Sequence, residues 1–116
     1  MIIKHHGYAA IQFDFYIPEK VWSNQHTQAF FRRIQSIETN ATVFDGLTGV
    51  WQGEKESTRV YRVAIPARHF DRKSLREAFQ KEIELLLVNL ADSPEVAQQS
   101  VLFTESELRV SLSTIA

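Results

Sequence analysis

Arginine and carboxylate side chains at alternating positions are the first candidates for chemistry in this sequence. Asp14 lies in a segment that alternates apolar and polar residues, and Arg62 and Arg109 lie in two further segments of this kind. If the aliphatic residues of each segment face a core, the three charged side chains face the opposite way. The planar guanidinium of arginine binds a carboxylate through two parallel hydrogen bonds. We therefore predict a polar row in which Asp14 lies between Arg62 and Arg109, with Tyr16 nearby.

Three interpretations of this row are open. It can be the interface of a homodimer, a site for a small anionic ligand, or a solvated surface whose ion pairs contribute about 0–1 kcal/mol each. Trp51 is a further interface candidate, because it lies in a glycine-rich hairpin where side chains of two molecules can approach closely.

A second concentration of charge runs from residue 59 to residue 76, which holds six basic residues and one acidic residue. The anion-binding candidates are grouped where the second predicted helix begins, and they are Arg68, His69, Arg72, Lys73 and Arg76. An anion can bind between these side chains. Alternatively, they are solvated charges with Asp71 and Glu77 as partners. Single-stranded nucleic acid is the least favoured partner, because the third predicted strand lacks the aromatic consensus of RNA-recognition domains.

The remaining residue types do not indicate a reaction. The chain has no cysteine, and its four histidines are not spaced as metal ligands. No nucleophile elbow, phosphate loop or dinucleotide fingerprint is present. We expect no metal and no cofactor, and the sequence leaves open whether the protein is an enzyme. The enzyme alternative is a dimeric α+β barrel with a cavity lined by Asp14, Tyr16, Arg62 and His69.

The elements that position these residues follow from the apolar pattern. Strands are predicted at Gly7–Ile17, at Thr42–Gln52 with an interruption at Asp45-Gly46, at Thr58–Ile65 and at Ser100–Ser113; helices are predicted at Trp22–Glu38 and Arg72–Ala91. This is the βαββαβ order of the ferredoxin-like fold. We predict a single α+β domain over residues 1–116, with both helices on one face of a four-stranded antiparallel sheet and the other face open.

The bulk composition is that of one ordinary domain. With 116 residues, 44% of them hydrophobic, the chain can bury a core, and its net charge of −1 gives no general attraction to nucleic acid or membranes. No apolar run is long enough to span a membrane, and the first residues do not form a signal peptide. We expect a soluble cytoplasmic protein.

Four short motifs resemble a family of small bacterial proteins with no assigned function. They are Phe44-Asp45-Gly46-Leu47-Thr48, Gly49-Val50-Trp51, Glu56-Ser57 and Gln99-Ser100-Val101-Leu102. The resemblance spans about residues 8 to 114 and implies a ferredoxin-like domain, but this chain has a shorter connection between Leu47 and Trp51. The family offers no catalytic residues. Together with the open face, the resemblance leads us to expect a binding or accessory protein that forms a homodimer.

Overall fold

The computed structural model of the protein describes residues 1–93 and 100–116, apart from the side chains of Trp51 and His69. In chain order the elements are β1 (Ile3–Pro18), α1 (Glu19–Trp22), α2 (Gln25–Gln35), β2 (Thr42–Trp51), β3 (Glu54–Pro66), a 3₁₀ turn (Ala67–His69), α3 (Arg72–Ala91) and β4 (Leu102–Ile115). The strands form one antiparallel sheet in the order β2-β3-β1-β4. The prediction of an α+β fold with a four-stranded antiparallel sheet is confirmed.

The helices differ in part from the prediction. The first predicted helix is divided into α1 and α2, because Asn24 lies between them in an extended conformation and its side chain accepts a hydrogen bond from the His26 amide at 2.9 Å. The range of α3 agrees with the prediction. Its first turn is capped by Asp71, whose carboxylate accepts from the Ser74 amide at 3.0 Å. Proline favours the first position of a helix, so the sequence also predicts a short turn from Pro94, and this segment lies outside the described residues.

The first and third strands are longer than predicted. β1 begins at Ile3 and β3 at Glu54, and β4 is continuous from Leu102 to Ile115. The interruption predicted at Asp45-Gly46 is present as a bulge between Phe44 and Leu47. Gly46, with a φ of 70°, supplies the left-handed conformation at this bulge.

One face of the sheet is covered by the helices and forms the core. The odd-numbered residues of β1 from Ile11 to Ile17 are buried there with residues of β3, α2 and α3. The Phe15 ring meets the rings of Phe30 and Phe79 edge to face, with centroids 5.4 and 5.3 Å apart. Alternation along β1 therefore decides which residues are sealed beneath the helices.

The central strand β1 and the edge strand β4 extend beyond the part of the sheet that the helices cover. They pair from Tyr16 and Leu102 to Ile3 and Ile115, whereas β3 pairs with β1 only from Ala10 onward. Residues Ile3–Ala9 and Arg109–Ile115 thus form a two-stranded projection, which we call the ribbon. The radius of gyration is 16.2 Å, compared with about 13 Å for a compact chain of this length. The molecule is therefore elongated.

Candidate functional site

The predicted pairing of Asp14 with Arg62 is present at the centre of the open sheet face. The two residues are directly opposite each other on β1 and β3. Arg62 donates from Nε to Oδ1 at 2.8 Å and from Nη2 to Oδ2 at 2.9 Å. The side chain of Asp14 is 8% exposed and that of Arg62 is 37% exposed. These hydrogen bonds raise the pKa of Arg62 above its usual value, so its guanidinium stays charged.

An aromatic ring completes the surroundings of this pair. The guanidinium carbon of Arg62 lies 4.6 Å from the centroid of the Phe44 ring. The guanidinium is thus held along its edge by the carboxylate and against one face by the aromatic ring. This arrangement fixes the Arg62 side chain although more than a third of it is in contact with water.

The predicted position of Arg109 is wrong. Thr104 stands opposite Asp14, and Arg109 stands opposite Ala9 near the base of the ribbon. Successive side chains of a strand point to opposite faces, so Arg109 shares the helix side of the sheet with the other odd-numbered residues of β4. The prediction assumed that Leu108 and its even-numbered neighbours face the helices. They lie instead on the open side, which reverses the direction of Arg109.

The open face is arranged in rows that cross all or part of the sheet. One row is apolar, and it contains Phe44, Val60, Tyr16 and Leu102. The next row is polar, and it contains Thr42, Arg62, Asp14 and Thr104. After a row of small or polar residues, Ala10 and Leu108 begin a second apolar zone that leads into the ribbon. A polar band with an ion pair at its centre is therefore bordered by apolar surface on both sides.

The basic segment is largely occupied by contacts within the chain. Arg72 donates to Glu105 at 2.7 Å and to Glu107 at 2.7 Å, and Arg76 also binds Glu105. Lys73 lies 3.9 Å from Glu77, as the solvated interpretation predicted. Two of the predicted anion-binding cations therefore tie α3 to β4, and the nucleic-acid alternative loses much of its support.

The carboxylate of Glu105 is the centre of this contact. Its hydrogen bond from Arg76, assisted by the one from Arg72, holds the pKa of Glu105 below its ordinary value, although burial acts in the opposite direction. Sequence reasoning missed Glu105 and Glu107 as partners, since they are far from α3 along the chain. Their spacing of two residues, which places them on one face of a strand, was the available signal.

The other predicted site residues do not gather into one site. Tyr16 is partly buried in the apolar row beside Asp14, and Arg68 is exposed in the 3₁₀ turn. The side chains of Trp51 and His69 are outside the described part of the structure. Among the described residues, no group of three or more His, Asp or Glu side chains is placed to hold a metal ion. Within the same part of the chain, no helix is both long enough and apolar enough to cross a membrane.

The comparisons with known proteins give a distant likeness in structure. No protein-family model and no curated protein matches the chain. Two solved structures of CPII, a nitrogen regulatory PII-like protein from Thiomonas intermedia K12 bound to ADP, AMP and bicarbonate, each cover 90% of this chain at 12% identity, with TM-scores of 0.48 and 0.49. The matches cover 96% and 98% of those chains. A likeness of this size carries no information about what the present chain binds. Membership of the bacterial family suggested by the short motifs stays a prediction.

Proposed function

We propose that this protein is a binding or accessory protein that forms a homodimer through its open sheet face. The observation that supports the proposal best is the sequence of rows on that face. Phe44 and Leu102 are exposed large apolar residues in a row that none of the described helices covers. Exposed apolar surface bordered by polar residues is typical of an interaction site.

The charges of the face suit association with a second copy. Asp14 and Arg62 neutralise each other within one chain, and the neighbouring residues of their row, Thr42 and Thr104, carry no charge. Two such faces can therefore approach without repulsion between like charges. A two-fold interface brings the same patch of both subunits together, which requires a patch of this self-complementary kind.

The size of the face is also adequate. Four strands about 4.8 Å apart give a width of about 19 Å, and the nine paired residues of β1 and β3 give a length of about 30 Å. The flat area is then about 570 Å², and the relief of the side chains increases the accessible area. A standard interface buries about 800 Å² on each partner.

Sedimentation velocity at micromolar concentration tests the proposal. We expect the wild type to sediment at twice the chain mass of 13.4 kDa. Leu102→Glu should shift it to the monomer, because a charge would replace a side chain that is 61% exposed in the apolar row. Val88→Glu is the matched control, since Val88 is 67% exposed on α3, on the covered side of the sheet.

Two results would contradict the dimer. One is a wild type that remains monomeric throughout the concentration range. The other is an equal response of the Leu102 and Val88 variants, which would show that association does not involve the open face. Circular dichroism spectra of both variants verify that each remains folded.

A further inference from the structure

A shallow cleft of about 610 Å³ opens on the helix side of the molecule, where the ribbon meets the start of α3. Its apolar lining includes Ala9 and Ile11 of β1, Ala67 of the 3₁₀ turn and the exposed ring of Phe70. Sites for small molecules commonly have volumes of about 300–1,000 Å³ and mostly apolar walls with a few polar groups. The cleft therefore has the size and lining of a small-molecule site.

Arg109 supplies the polar group that the cleft would need. Its guanidinium lies over the β1 backbone at Gly7, where an added Cβ would come within 2.9 Å of Nη2 and 3.3 Å of Nε. The absence of a side chain at Gly7 thus makes room for this guanidinium. Among the described residues, no hydrogen bond or ion pair joins Arg109 to a carboxylate.

The other charged residues of the cleft already have partners. Arg72 is bound by Glu105 and Glu107, and Asp71 accepts hydrogen bonds from the amide and the hydroxyl of Ser74. Arg109 is therefore the cationic side chain of this cleft that can bind a ligand without first breaking an ion pair.

The balance of charge limits the kind of ligand. Asp71 and Glu107 oppose Arg72 and Arg109, so the charged lining sums to zero. A polyanion would meet two carboxylates with only one available guanidinium, whereas a single carboxylate can accept two parallel hydrogen bonds from Arg109. An apolar body attached to that carboxylate would contact Phe70 and Ala67.

We propose that this cleft binds a small organic monocarboxylate, with its carboxylate on Arg109 and its apolar part against Phe70. The inference rests on the proposed binding role and gives it a ligand class. It does not require the dimer, because Leu102 and the Asp14–Arg62 pair do not line the cleft.

Titration with benzoate, followed by amide chemical shifts in NMR, tests the ligand class. We expect saturable shifts at Ala9, Ala67 and Phe70. Benzamide has the same ring without the charge and should bind much more weakly, and phenyl phosphate, which carries more negative charge, should also bind more weakly than benzoate. Absence of a saturable benzoate response, equal binding of benzamide, or tighter binding of phenyl phosphate would overturn the assignment.

Variants of the cleft test the role of Arg109. Arg109→Gln should weaken benzoate binding by about tenfold or more, the loss typical for a hydrogen bond to a charged group. Gly7→Ala keeps every charge but displaces the guanidinium, and it should weaken binding severalfold. Arg32→Gln is the control, since it removes an exposed arginine of α2 and should leave binding unchanged.

The ligand proposal and the dimer proposal can be tested independently of each other. Benzoate should bind Leu102→Glu as it binds the wild type, and Arg109→Gln should sediment as the wild type does. Benzoate binding that survives in Arg109→Gln would contradict the proposed site whatever the oligomeric state.

Discussion

The two faces of β1 bury neighbouring residues by different means. Phe13 and Phe15 are sealed under the helices by contacts with other rings, and Asp14 between them is nearly as inaccessible on the opposite face. Asp14 is covered because Arg62 pairs with it and lies against Phe44. The comparison shows that low exposure has two origins in one strand. On one face it reflects the filling of volume, and on the other it reflects the pairing of charges.

The largest loss of stability should come from a substitution on the face of β1 that packs under the helices. Phe15→Ala removes a fully buried ring that contacts Phe30 and Phe79, so we expect a loss of about 3–5 kcal/mol in the free energy of unfolding. Denaturation in urea measures this loss. Gln12→Ala on the opposite face should cost less than about 0.5 kcal/mol. Similar costs for the two substitutions would remove the distinction between the faces.

A smaller effect is expected where burial depends on pairing. Arg62→Ala leaves the Asp14 carboxylate without its partner, and we expect a loss of about 1–3 kcal/mol, reduced by the partial contact of Arg62 with water. Asp14→Ala and the double variant complete a mutant cycle. The double variant should lose less than the sum of the two single losses. All four proteins must be compared at one concentration, because the proposed self-association would make apparent stability depend on concentration.

The smallest effect should appear on β4, whose helix side carries the charged residues Glu105 and Glu107 next to the Phe103 ring. Arg76 and Arg72 hold the pKa of Glu105 below its ordinary value of 4.5. A lowered folded-state pKa stabilises the protein above pH 4.5, and this stabilisation is lost as the pH falls from 4.5 through the folded-state value. Glu105→Gln should therefore flatten the decline of stability with acid.

Thermal unfolding measured at a series of pH values tests this decline. The control is Glu84→Gln, since Glu84 is an exposed residue of α3. An unchanged acid profile in Glu105→Gln would show that the contacts between α3 and β4 do not contribute to the pH dependence.

The parts of the fold that depend on local signals were predictable from the sequence. The range of α3 followed from its apolar spacing. The pairing of Asp14 with Arg62 followed from alternation combined with the expected strand order. The first prediction used signals from a few neighbouring residues, and the second also needed the strand order of the ferredoxin-like fold.

The position of Arg109 could not be predicted from local signals. Alternation divides a strand into two sets of residues, but it does not state which set is buried. Leu108, Val110 and Leu112 alternate as a core strand does, yet they lie on the open side and on the ribbon. The contacts of Arg72 with Glu105 and Glu107 also depend on how a distant strand is placed. For these residues, the face of the sheet and the contacts of the side chain depend on the register of the whole sheet.

The long pairing of β1 with β4 has a consequence for how the chain folds. β1 is the first strand and β4 the last, and they are hydrogen-bonded over fourteen successive positions. Contacts between distant parts of a chain form slowly, because a large loop must close before they contribute. Until β4 arrives, one edge of β1 keeps unpaired backbone groups, and such an edge can pair with another molecule. The same strand that organises the native sheet is therefore its most vulnerable segment during folding.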